Sequence, residues 1–145
     1  MDYKRLALAA VVTWIVDSIY SMVVWMGMMG PDIAANPGVF RAQEAMQAYM
    51  PLMFAGGLVG IFALVYIYAK GYEGGGIGEG VRFGAVMGVF MVAFVNVPLF
   101  ASMNVNSRFG MMTSIAGFAE MLVAGIVIGV MYRPAARPAA ARAGV

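Results

Sequence analysis

Four long runs of apolar residues follow one another along this chain, separated by short segments that are rich in glycine, proline or polar residues. A helix needs about 20 mostly apolar residues to cross about 30 Å of hydrocarbon. The four runs reach that length at residues 6–29, 45–69, 81–103 and 109–132. The pattern therefore predicts an all-α polytopic membrane protein whose four transmembrane helices form an antiparallel bundle.

The connections between these runs are consistent with four spans. The first contains Pro31 and Pro37, which break helices, and the residues after it are expected to turn at the membrane interface. The middle connection, residues 70–80, is rich in glycine but lacks the lysine-serine pair of a nucleotide-binding loop, so we interpret it as a flexible hairpin. The last connection is the shortest, which predicts that the third and fourth spans are antiparallel neighbours.

Composition excludes several classes of function. Hydrophobic residues make up 63% of the chain and charged residues 11%, whereas soluble domains carry roughly 25% charged residues. Cysteine and histidine are absent, which removes thiolate metal sites, disulfides and the commonest general base. We therefore expect no enzymatic activity, no cofactor, no metal site and no nucleic-acid partner.

The distribution of lysine and arginine predicts the orientation, because cytoplasmic segments carry the excess of these residues. Seven fall on the side of both termini and two on the other, so both termini are expected in the cytoplasm. The first span is too long for a secretory signal and is interpreted as a retained anchor. Residues 1–132 form the predicted transmembrane domain, and residues 133–145 a basic, proline- and alanine-rich cytoplasmic tail. The seven residues are Lys4, Arg5, Lys70, Arg82, Arg133, Arg137 and Arg142, and the two are Arg41 and Arg108.

Two acids stand inside the apolar runs, Asp17 in the first and Glu120 in the fourth. With a rise of about 1.5 Å per residue, both lie near the middle of the bilayer, and so does Asn96 in the third span. An ionised acid at that depth costs about 2.5 to 3.5 kcal/mol, so each side chain is expected to face the interior of the bundle.

The expected partners of these acids are hydroxyl and amide groups, because every lysine and arginine lies at or beyond the end of a span. Residues three or four positions apart share a helix face, and this spacing adds hydroxyl side chains beside each acid. The predicted intramembrane polar or proton site comprises Asp17, Glu120, Asn96, Thr13, Tyr20, Ser21 and Thr113.

Three roles remain open for the acids. They are hydrogen-bonding groups that hold helices together, or a proton or cation site, or the partners of a basic residue from another subunit. Two carboxyls close together would titrate as a coupled pair.

Small residues predict where helices approach each other. Three spans contain glycines four residues apart, and Pro98 in the third span is expected to free a backbone carbonyl. Fifteen methionines are also present; thioethers suit Cu(I), but filling gaps between helices is the simpler interpretation. The predicted packing glycines are Gly56, Gly60, Gly84, Gly88, Gly125 and Gly129.

The motifs "TWIVDSIY", "YAKGYEGGGIGEGVRFG" and "EMLVAGIVIG" cover the first acid, the middle hairpin and the second acid. With them the chain resembles a family of uncharacterised small four-helix membrane proteins of bacteria. The resemblance implies a bacterial cytoplasmic membrane protein without an assigned activity, and it supplies no substrate.

Two functions are expected from these observations. The first is a small accessory or structural subunit of a larger membrane assembly, with the lipid bilayer and other membrane subunits as partners. The alternative is a proton- or cation-coupled carrier of a small solute that works as a homodimer through Asp17 and Glu120.

Overall fold

The computed structural model describes residues 2–133, so the predicted tail lies outside the described residues except for Arg133. Within this range the chain is helical and has no strands. Four helices are long and apolar enough to cross a membrane: Tyr3–Met28, Met50–Lys70, Gly76–Ser102 and Ser107–Met131. The predicted all-helical class and the four spans are confirmed, and the protein is a multi-pass membrane protein.

Local sequence signals set the ends of these helices. The Asp2 carboxylate accepts the Arg5 amide at the start of the first helix, and the Asn106 side chain accepts the Phe109 amide at the start of the fourth, as capping residues do. The second helix begins at Met50, five residues later than predicted, with Pro51 in its first turn. Two short helices, Gly30–Ala34 and Gln43–Gln47, lie between the first and second helices.

The middle connection is shorter and better hydrogen-bonded than its glycine content suggests, because the third helix already begins at Gly76. Gly74 and Gly76 have φ angles of 96° and 58°, which favour glycine. The buried Glu79 side chain accepts the backbone amides of Glu73 at 2.8 Å and Gly75 at 2.7 Å. Its carboxylate therefore fixes the turn between the second and third helices.

Two of the four helices change from α to π geometry shortly before a proline. The first helix is π-helical over Met22–Met28, ahead of Pro31, and the third over Val92–Asn96, ahead of Pro98. A proline has no amide to donate to the carbonyl four residues back, and a π segment rearranges the hydrogen bonds locally. The carbonyl that we expected Pro98 to free thus lies in a π-helical segment.

The buried core lies at one end of the molecule. It joins the beginning of the first helix to the last turns of the second and fourth helices. Ala9 and Ala10 of the first helix are completely buried in this core. Tyr68 and Tyr132 are 2% and 1% exposed and pack edge to face, so they belong to the core. The core residues are Leu6, Ala9, Ala10, Ile61, Leu64, Val65, Tyr68, Ala124, Ile128 and Tyr132.

The third and fourth helices are in contact through glycine. A Cβ atom on Gly84 would lie 2.5 Å from the Met121 carbonyl oxygen, and one on Gly125 would lie 2.7 Å from the Gly84 Cα atom. Gly88 faces Phe118, further along the third helix and earlier in the fourth, so these two helices run antiparallel. Close approach of this kind needs residues without side chains.

The glycine pair of the second helix is different. Gly56 and Gly60 are exposed, and a Cβ atom on either would meet nothing within 4 Å. Of the three glycine pairs predicted from the sequence, two are used inside the chain and one is left on its surface.

Gly84→Ala is expected to destabilise the protein by about 1 to 3 kcal/mol, because the added methyl group overpacks the contact between the third and fourth helices. Gly60→Ala is the matched control, and it should be neutral or slightly stabilising for folding because its methyl group enters open space. Thermal or denaturant unfolding in detergent measures both. Equal stability of the two variants would contradict the described packing.

Candidate functional site

The polar side chains in the middle of the spans join the first helix to the fourth. Ser21 Oγ donates a hydrogen bond of 2.7 Å to Glu120 Oε1, and the Tyr20 hydroxyl donates one of 2.8 Å to the Ala116 carbonyl. The Trp25 indole also lies beside the Glu120 carboxyl. The Glu120 side chain is therefore part of a contact between two helices.

Asp17 lies one turn before Ser21 on the same helix and is half-buried. It is near enough to Glu120 for the two carboxyls to interact electrostatically. Within residues 2–133, however, no hydrogen bond to the Asp17 carboxyl is found, neither from Tyr20 and Ser21, which bond to the fourth helix, nor from Thr13. The two acids therefore differ, because Glu120 is hydrogen-bonded across a helix contact and Asp17 is not.

Asn96 and Thr113 form a separate polar contact. Asn96 Nδ2 donates to the Thr113 carbonyl at 3.1 Å, and Thr113 Oγ1 donates to the Gly110 carbonyl at 2.9 Å. Thr113 is seven residues from Glu120, which corresponds to about 10 Å along a helix. The Asn96 side chain thus joins the third helix to the fourth, apart from the acids, whereas the Thr113 hydroxyl bonds within its own helix.

Thr13 is completely buried, and its hydroxyl oxygen has no hydrogen-bond partner among the described residues. The sequence placed it beside Asp17, one turn away on the same face. It does lie one turn before Asp17 on the first helix, but its side chain is completely buried, one turn after the core residue Ala9. A buried hydroxyl without a partner is uncommon and destabilising.

A cavity of about 280 Å³ lies between the first and second helices, at the end of the molecule away from the core. Trp14 closes its inner end: the indole Nε1 donates to the Phe54 carbonyl at 3.2 Å, and the two rings pack edge to face. Asp17 contributes a carboxyl to the wall. The lining residues are Trp14, Asp17, Ser18, Ser21, Met22, Trp25, Met26, Met50, Met53, Phe54 and Gly57.

The sequence did not identify this cavity. Both tryptophans of the chain line it. A signal in the sequence is the spacing of Trp14, Asp17, Ser21 and Trp25 at intervals of three or four residues, which places them on one helix face. Glu79 was missed as well, although it closely follows a glycine-rich turn.

Charges elsewhere are far from the acids. Within the described range, the ion pairs are Arg5 with Asp2 at 3.2 Å and Arg82 with Glu73 at 2.6 Å. Both are exposed and lie at helix ends. The part of the chain that is described contains no group of three acidic, histidine or cysteine residues arranged to hold a metal ion.

Comparison with known proteins adds no family or activity. No protein-family model, curated protein or solved structure matches the chain. The resemblance carried by the hairpin and the two acid motifs therefore stays a prediction. The groups present offer hydrogen bonding, proton exchange and attraction of a cation as the chemistry of this site.

Ser21→Ala and Glu120→Ala are each expected to destabilise the protein, and their effects should be coupled because either substitution removes the same hydrogen bond. The coupling energy should be about 0.6 kcal/mol, as for polar contacts between membrane helices. A double-mutant cycle of unfolding free energies in detergent measures it. Asp17→Ala in place of Glu120→Ala is the control, and strictly additive effects for Ser21 and Glu120 would contradict the contact.

Proposed function

We propose that this chain is a non-enzymatic integral membrane protein that serves as a small accessory or structural subunit of a larger membrane assembly. The observation that carries the proposal is the exposed face of the second helix at Gly56 and Gly60. The corresponding glycines of the third and fourth helices are buried in the contact between those two helices. A neighbouring subunit's helix could approach the second helix equally closely.

The proposed arrangement is an antiparallel four-helix bundle with both termini in the cytoplasm of a bacterium. The core supports it, since the beginning of the first helix packs against the last turns of the second and fourth. Lys4, Lys70 and Arg82 therefore lie toward the same end as the described C-terminal residue, Arg133. Such an end faces the cytoplasm under the positive-inside rule.

The hydrogen bonds of the spans support a structural role for Glu120 and Asn96. Each side chain forms one contact between two helices, Glu120 with Ser21 and Asn96 with the Thr113 carbonyl. Such contacts add modest stability and fix the helix that each residue faces.

Gly60→Leu is expected to release the chain from its assembly without unfolding it, because the new side chain fills the space that a neighbouring helix would occupy. Purification from native membranes in mild detergent, followed by mass measurement of the intact complex, tests this expectation. Ala7→Leu is the control, since Ala7 is also exposed but lies on the first helix. Wild-type protein that runs as a monomer or homodimer would contradict the subunit role.

A second candidate function is favoured by the cavity. Asp17 lines it without a hydrogen bond among the described residues, and Glu120 lies nearby. A proton- or cation-coupled carrier needs such an exchangeable acid beside a space for solute. Four helices enclose little volume, so this carrier would work as a homodimer.

Asp17→Asn and Glu120→Gln are expected to abolish pH-dependent uptake if the chain is a carrier, because an amide keeps the shape of the acid but cannot exchange a proton. Uptake by proteoliposomes with and without a pH gradient measures the effect. Unfolding in detergent is the control for stability. Coupled uptake that survives in both variants would eliminate these acids as the exchange site.

A further inference from the structure

We propose that the cavity around Asp17 binds a small organic cation, a substituted ammonium compound with apolar groups on its nitrogen. The proposal deepens the carrier candidate by naming its substrate class. It requires binding only, so it also applies to a subunit that does not transport.

The first argument concerns charge. The Asp17 carboxyl lies in the wall of an otherwise mostly apolar cavity. The titratable group that acts on it electrostatically is another acid, Glu120 on the fourth helix. The lysines and arginines of the described residues lie at or beyond the helix ends, as the ion pairs of Arg5 and Arg82 illustrate. An acid in such surroundings is stabilised in its ionised form by a cation that enters the cavity.

The second argument concerns the walls. Trp14 and Trp25 supply aromatic rings, and Met22, Met26, Met50 and Met53 supply polarizable thioethers. Cations with weakly hydrated, apolar substituents bind well against aromatic faces, and flexible methionines adapt to ligands of different shape. The cavity of about 280 Å³ is comparable to the smaller ligand pockets of proteins.

The same walls disfavour an inorganic cation. Calcium takes six to eight oxygen ligands and magnesium keeps a near-octahedral shell of oxygens. Here one carboxylate and the hydroxyls of Ser18 and Ser21 are the polar side chains that can offer oxygen, and Ser21 already donates to Glu120. An organic cation needs only one counter-charge and brings its own apolar surface, so it fits this lining better.

The two tryptophans make the site directly observable. They are the only tryptophans in the chain, and both line the cavity, so intrinsic fluorescence of the full-length protein in detergent reports on its occupancy. The probe is choline, which is water-soluble. Its uncharged analogue, with a tert-butyl group in place of the trimethylammonium group, is the matched control for size and shape.

Choline is expected to change the fluorescence in a saturable way, and the uncharged analogue should bind at least tenfold more weakly. Asp17→Asn should weaken choline binding at least tenfold, because it removes the counter-charge. Asp32→Asn makes the same chemical change in the short helix after the first span, outside the cavity lining, and should leave the affinity unchanged.

Three results would overturn the proposal: equal binding of the uncharged analogue, unchanged binding by Asp17→Asn, or no saturable response. The absence of a saturable response is also the result expected if a basic residue of a partner subunit is the natural counter-charge of Asp17.

If Asp17→Asn does not fold, Gly57→Leu takes its place, because the leucine side chain fills the cavity while Asp17 is kept. Choline binding that survives Gly57→Leu would likewise refute the site. Choline binding without uptake would retain the site and reject the carrier.

Discussion

A polar group inside the hydrocarbon region has no water to bond with, and this constraint determines how the four helices meet. Tyr20 and Ser21 both donate from the first helix to the fourth, and Asn96 donates from the third to the fourth. Each bond ends on a carbonyl or carboxyl oxygen of the fourth helix. The fourth helix therefore positions the first and third helices, and its small residues allow them to come close enough to bond. The second helix is joined instead to the first, through the bond from Trp14 to the Phe54 carbonyl.

The two ends of the molecule are packed differently for a related reason. At the core end, Ala9, Ala10 and Ala124 let the first and fourth helices approach, and Ile128 and Val65 fill the space between elements. At the other end, the first helix becomes π-helical from Met22, and the cavity opens along this helix. Irregular backbone within a membrane is tolerated where it is covered by protein or lines a cavity, and π segments are often found at functional sites.

The number of spans could be predicted from the sequence because length and apolarity alone determine it. The partners of the polar residues could not. Asp17 and Glu120 have the same predicted depth, yet only Glu120 is hydrogen-bonded across a helix contact. That difference depends on how each helix is rotated about its axis, and the apolar residues of the first helix are spread around it too evenly to specify that rotation. The same reason explains why Gly84 and Gly125 are buried while Gly56 and Gly60 are exposed.

Asp17 and Thr13 are both polar side chains of the first helix without a hydrogen bond among the described residues, and their surroundings differ. Thr13 is sealed among core residues, and its hydroxyl is neutral, so its cost is that of one missing hydrogen bond. Asp17 lies beside a cavity, and its group carries a charge when ionised. A charge costs far more than a hydroxyl in apolar surroundings, and only Asp17 can be reached by a proton, a cation or a neighbouring side chain. The described packing of the helices supplies Asp17 with no hydrogen bond, and the cavity beside it is the side from which a partner would reach it.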